Sequence, residues 1–108
     1  TKIAFVGSSI GANTALNYGA ENKLLVVALS PGLDYKGIKT EESIKKIKKA
    51  FIITTEQDNY SFESSKKLKE LNENIKLNIY SGKAHGTYMF LEERDLSQEI
   101  IAWLNENI

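Results

Sequence analysis

Cysteine is absent from the 108 residues, and histidine and proline each occur once. Without thiols there is no disulfide, no thiolate metal site and no cysteine nucleophile. A single imidazole excludes a multi-histidine metal centre. Net charge is missing as well, because fourteen Lys and Arg balance fourteen Asp and Glu. That balance gives no electrostatic footprint for nucleic acid or for an anionic membrane surface. No apolar run approaches the ~20 residues that a membrane-spanning helix needs. The first residue is Thr1 rather than Met, so the lack of a visible leader leaves the compartment open.

What the chain does have is core material. Apolar residues make up 42%, enough for one compact domain at this length and too many for general disorder. Four short runs read as strands: Ile3–Val6, Leu24–Leu29, Phe51–Thr54 and Ile75–Tyr80. The first three are nearly continuous in apolar or β-branched residues, the pattern of strands buried on both faces. The fourth alternates Ile75, Leu77 and Ile79 with Lys76, Asn78 and Tyr80, which predicts a strand with one wetter face near a sheet edge.

Helical segments separate the runs. Ile10–Tyr18 is rich in small residues that allow close packing on a sheet. Thr40 reads as an N-cap, with Glu41 and Glu42 in the first turn, Lys48 and Lys49 in the last, and Ile44 and Ile47 on the buried side. This charge order favours the helix dipole. The neighbouring Lys45–Lys49 run reads as the solvated face of that helix. Ser61 reads as the cap of a third helix carrying Leu68, Leu71 and Ile75, and a last helix from near Ser97 carries Ile100, Ile101 and Leu104 on one stripe with Trp103 beside it. Met89 and Phe90 read as core. Strand and helix alternate four times, which predicts a four-stranded parallel sheet with flanking helices and right-handed crossovers.

The chemistry begins where the first strand ends, in Gly7-Ser8-Ser9-Ile10-Gly11. This is G-x-S-x-G at a strand-to-helix turn. The motif sets a serine on a strained turn, with glycines that let the two backbones approach. Ser9 would project from the C-terminal edge of the sheet at a helix N-terminus, where developing negative charge is favoured. The amide of Ile10 could donate to an oxyanion. The pentapeptide alone serves equally as an ordinary Gly/Ser-rich turn. A dinucleotide fingerprint lacks its G-x-G-x-x-G spacing, and a P-loop lacks G-K-[ST].

A serine nucleophile needs a base, and His85 in Gly82-Lys83-Ala84-His85-Gly86 follows the fourth strand at the same rim. The base needs an orienting acid. Asp58 in Glu56-Gln57-Asp58-Asn59 follows the third strand, and Glu56 and Asp34 are the other acids within range. Tyr35, Tyr60 and Tyr88 lie on loops at the same rim, where they could contact a substrate or simply pack over the sheet ends.

With the elbow at Ser9 and the order Ser9…Asp58…His85, the chain resembles the C-terminal half of an α/β-hydrolase. Leu29-Ser30-Pro31-Gly32-Leu33-Asp34-Tyr35 and the closing Ile100-Ile101-Ala102-Trp103-Leu104 helix are similar to the dienelactone hydrolase and esterase-like branch. The resemblance departs at Thr55, where many relatives carry glycine. It implies a Ser9–His85–Asp58 triad, a small acyl or ester substrate, and no metal or organic cofactor. It also implies that the four strands are the last four of eight, and that a second oxyanion donor lies in an absent N-terminal half. The Ile3–Val6 strand would then have an open edge, expected to pair with a second copy or with that missing half. Two other readings are a non-catalytic interaction module on the same scaffold and a βα domain holding an anion at the Gly7–Gly11 turn.

Overall fold

A computed structural model describes residues 3–108. Four parallel strands, β1 (Ala4–Ser8), β2 (Leu25–Leu29), β5 (Ala50–Thr55) and β6 (Lys76–Tyr80), form one sheet in the order β1-β2-β5-β6. A small antiparallel hairpin, β3 (Asp34–Tyr35) and β4 (Ile38–Lys39), sits beside it. The helices are α1 (Ile10–Asn22), α2 (Glu41–Lys46), α3 (Asn59–Leu71), α4 (Met89–Glu92) and α5 (Leu96–Asn107). A one-turn 3-10 segment, Gly86–Tyr88, leads into α4.

The core divides as the period of two in a strand requires. Val26, Ala28, Ala50 and Ile52 face one layer, with Ala12 and Leu16 of α1, Ile44 of α2 and Leu68 of α3. Val27, Leu29, Phe51 and Ile53 face the other, with Met89 of α4 and Leu96, Ile100 and Trp103 of α5. All six residues of β5 are buried, and each large one stabilises the fold by about 1.5–3 kcal/mol through burial. The sheet is therefore sandwiched between helical layers, as the alternation of elements predicts.

Several local expectations change. The strand β1 is an edge paired only with β2 among the described residues, so it is half-buried, and Val6 is 52% exposed. The cap position of α3 is Asp58, and Ser61 lies inside the helix, buried, accepting a hydrogen bond from Thr54 Oγ1 at 3.0 Å. The hydroxyl of Thr40 donates to the Gly32 carbonyl at 2.8 Å rather than capping α2. That helix ends at Lys46, before Lys48 and Lys49, which leaves Lys45 and Lys46 in its last turn. In α5 the buried stripe is Leu96, Ile100 and Trp103, at i, i+4 and i+7, and Ile101 turns outward. Met89 is buried as expected, but Phe90 is exposed. On β6, Ile79 faces solvent, because an edge strand has neighbours on one side only.

The hairpin is bound to the sheet layer by a buried amide. Asn13 of α1 donates from Nδ2 to the Ile38 carbonyl at 2.8 Å and accepts the Gly32 amide on Oδ1 at 3.0 Å. Loss of both bonds strands the buried Gly32 amide and the part-buried Ile38 carbonyl, and an unsatisfied buried group costs ~1–3 kcal/mol. We expect Asn13→Ala to lower unfolding free energy in urea by about 2–4 kcal/mol, a larger loss than a surface change such as Asn22→Ala.

Candidate active site

Each strand in the row hands its last backbone position to the next. The Ser9 amide donates to Leu29 O at 2.9 Å, the Ser30 amide to Ile53 O at 2.8 Å, and the Glu56 amide to Tyr80 O at 2.9 Å. The ladder thus continues one step past the strand ends and sets the residues that follow on a common rim. Ser9 and Ser30 leave that rim at positive φ, 58° and 54°, and Ser9 combines it with a ψ of −122°. Such a conformation costs a residue with a Cβ roughly 1–2 kcal/mol.

Three side chains meet there. His85 Nε2 lies 2.7 Å from Ser9 Oγ, and His85 Nδ1 lies 2.5 Å from Asp58 Oδ2. A carboxylate only accepts, so Nδ1 carries the proton and donates to Asp58. The lone pair on Nε2 is then free to accept the Ser9 hydroxyl. The Asp58 side chain is 16% exposed and that of His85 41%, so the acid is sheltered and the imidazole is open to solvent. Asp58 stands at the N-cap position of α3 without making a side-chain cap bond. Its carboxylate is turned to the imidazole instead.

The other acids do not reach His85. Asp34 Oδ1 accepts the Gly37 amide at 2.7 Å and closes the hairpin turn. Glu56 is exposed and contributes only its backbone amide. Ile10 opens α1, and its amide belongs to the first-turn donors that have no intrahelical acceptor. It follows Ser9 directly and is available to an anion at the elbow.

Aromatic residues form the neighbouring wall. The Tyr35 ring meets His85 edge-on at 6.3 Å and Tyr60 at 5.5 Å. Tyr60 Oη donates to Asp34 O at 2.9 Å and accepts the Asp34 amide at 2.8 Å. Burial, then the Asp58 and Tyr60 charges, push the Tyr35 phenol up to about 12, so Tyr35 stays a neutral donor at ordinary pH. Tyr88 is exposed. Sequence reading missed the hairpin that carries Tyr35, because strands of two residues have no periodicity to detect.

The two glycines of the elbow differ. A Cβ on Gly7 would lie 2.3 Å from Gly11 O and 2.9 Å from the Ala12 amide nitrogen, whereas a Cβ on Gly11 would meet nothing within 4 Å. Only Gly7 is needed for the close strand–helix approach, which corrects the expectation that both are. Gly11 lines an open, mainly apolar groove of about 470 Å³ with Phe5, Val6, Thr14, Ala15 and Tyr18, on the unpaired side of β1.

Neither a protein-family model nor a curated protein matches this sequence significantly. Among solved structures the chain is similar to the Pyrococcus furiosus esterase PF2001, with a TM-score of 0.70 and 16% identity. The match covers 98% of this chain and 53% of the esterase. The chain therefore has the fold of about half of that esterase and spans about half its length.

The contrast between the glycines is testable. Gly7→Ala forces backbone apart and should cost more than 2 kcal/mol. Gly11→Ala should raise the midpoint of thermal unfolding, since alanine is favoured over glycine within a helix by about 1 kcal/mol. Circular dichroism melting of both variants checks the pair.

Proposed function

We propose that this chain carries the reacting half of an α/β-hydrolase acting on carboxylic esters or related acyl substrates. The observation that carries the reading is the hydrogen-bonded chain Ser9–His85–Asp58. Three residues 27 and 76 positions apart stand in the order and geometry of a nucleophile, its base and an orienting acid. The strained φ of Ser9 and the similarity to half of an esterase point the same way.

In this mechanism Ser9 Oγ attacks the substrate carbonyl carbon as His85 Nε2 takes its proton. The carbonyl π pair moves to oxygen, where the Ile10 amide and the N-terminus of α1 stabilise the negative charge. The tetrahedral adduct collapses, its bond to the leaving oxygen breaks, and His85 returns the proton to that oxygen. Water then repeats the sequence on the acyl-serine and frees the acid. Asp58 holds the imidazole tautomer and stabilises its cation throughout. Tyr35 meets the imidazole, Tyr60 packs on Tyr35, and the pair offers an aromatic wall to the acyl or alcohol portion.

A fluorophosphonate probe tests the assignment on the parent polypeptide. We expect covalent modification at Ser9, mapped by mass spectrometry, abolished in Ser9→Ala and lowered at least 10³-fold in His85→Ala. An unmodified Ser9 in a folded parent would reject the hydrolase and leave the non-catalytic module. Stabilisation by inorganic phosphate without modification would instead favour an anion site at the elbow. The isolated 108 residues should hydrolyse esters weakly. Ile10 supplies one oxyanion amide, the second belongs in this reading to the other half, and one donor is worth roughly 10²–10³ in kcat.

The open side of β1 follows from the same reading. Its unpaired backbone, the exposed Val6 and the groove beside Gly11 make an edge that pairs with another chain. The partner is a second copy or the remaining half of the hydrolase. Light scattering on the isolated chain should give a dimer or larger species, dispersed by Val6→Lys. A folded monomer at every concentration would refute the pairing.

A further inference from the structure

The loop that carries His85 is held on both sides by buried hydroxyls that the triad does not include. Thr55 Oγ1 donates to the Ala84 carbonyl at 2.9 Å, and the Gly86 amide donates to Ser30 Oγ at 2.8 Å. These are the peptide groups immediately before and after His85. Ser30 and Thr55 are both fully buried, and they end the strand regions of β2 and β5. Those same two strand ends locate the other members of the site. Ser9 hangs by its amide from Leu29 O, and the Asp58 amide donates to Thr55 O. We propose that Ser30 and Thr55 are positioning residues that register the His85 imidazole against the sheet, so that nucleophile, base and acid share one backbone reference. The role rests on the hydrolase reading given above.

The backbone of Ser30 supplies the second argument. It is in left-handed conformation, where glycine would sit without strain, yet glycine has no oxygen to receive the Gly86 amide. An observed outlier of this kind points to a function for the side chain. The link from Tyr80 at the end of β6 to His85 passes through Gly82, whose φ is 119° and whose carbonyl accepts the Gln57 amide at 2.9 Å, and the two peptide groups that flank His85 itself are held by Thr55 and Ser30. Gly86, at φ 62°, brings the loop down on the elbow, where a Cβ would stand 2.4 Å from Ser8 Oγ. Thr55 fits the same scheme. Its hydroxyl is the loop anchor at the position where the resemblance leads one to expect glycine.

The test compares Ser30→Gly, Ser30→Ala, Thr55→Val and Thr55→Ser in the parent polypeptide. Ser9 modification by the fluorophosphonate should fall roughly 10–100-fold in the first three, the scale of a misplacement of about 1 Å, and stay within about threefold of wild type in Thr55→Ser. Ser30→Gly should melt higher than Ser30→Ala because it relieves the strained φ, while both lose reactivity equally. That separation ties the loss to the oxygen rather than to stability. The downfield proton resonance of His85 Nδ1–H should be sharp in wild type and Thr55→Ser and broadened in the other three. Folded Ser30→Gly and Thr55→Val proteins with wild-type reactivity and an unchanged resonance would overturn the proposal. If Ser9 is unreactive even in wild type, the hydrolase reading falls. The resonance then decides the clamp by itself, which is upheld by broadening in Ser30→Gly and Thr55→Val and rejected by its persistence.

Discussion

The rim of this protein depends on the parallel ladder running past its own strand ends. Ser9 is bonded to Leu29, Ser30 to Ile53 and Glu56 to Tyr80, so each strand fixes the first residue beyond its neighbour. Parallel pairing puts every such exit on the same side of the sheet. A serine after β1, a carboxylate after β5 and an imidazole after β6 then meet without any local sequence motif joining them. A shift of one residue in the β1–β2 register, Ser8 on Leu29, would reverse the faces of β1 and carry Ser9 away from His85.

Rigidity around the site comes from polar groups placed in an apolar frame. Asn13, Ser30, Thr40, Thr54, Thr55 and Ser61 are all fully buried, and each has a hydrogen-bond partner in another element or in a distant turn. A buried hydroxyl without a partner would be costly, and a paired one is directional. The apolar layers hold the sheet together, whereas the buried polar groups decide where its loops stand. The strained backbone of Ser9 and Ser30 is tolerated because both residues are fixed by bonds on each side, and both lie where the geometry of the loops matters most.

The order of strands and helices was legible because buried strands read as apolar runs and amphipathic helices carry a period near 3.6. The elbow was legible because G-x-S-x-G is a contiguous motif. The hairpin Asp34–Lys39 was not, since its strands are two residues long and it is held from α1 by the Asn13 amide on the Ile38 carbonyl. The cap of α3 was misread as Ser61 because several short polar residues, Asp58, Asn59 and Ser61, all suit that position. Only the packing of Ser61 against Thr54 excludes it. Nothing local marks Ser30 or Thr55 as anchors for a loop that lies 56 or 29 residues away.

The sequence by itself determined the parallel α/β architecture, the turn that presents Ser9, and the identity of His85 as the imidazole available to it, because these follow from local periodicity, one contiguous motif and a count of one. Only the tertiary structure decided that Asp58 rather than Glu56 or Asp34 faces the imidazole, and that Gly7 and not Gly11 makes room for the helix. The first is a distance between atoms 27 residues apart, and the second depends on how α1 sits against the end of β1. They are set by strand register and by where each helix begins, and no local pattern of residue types encodes them.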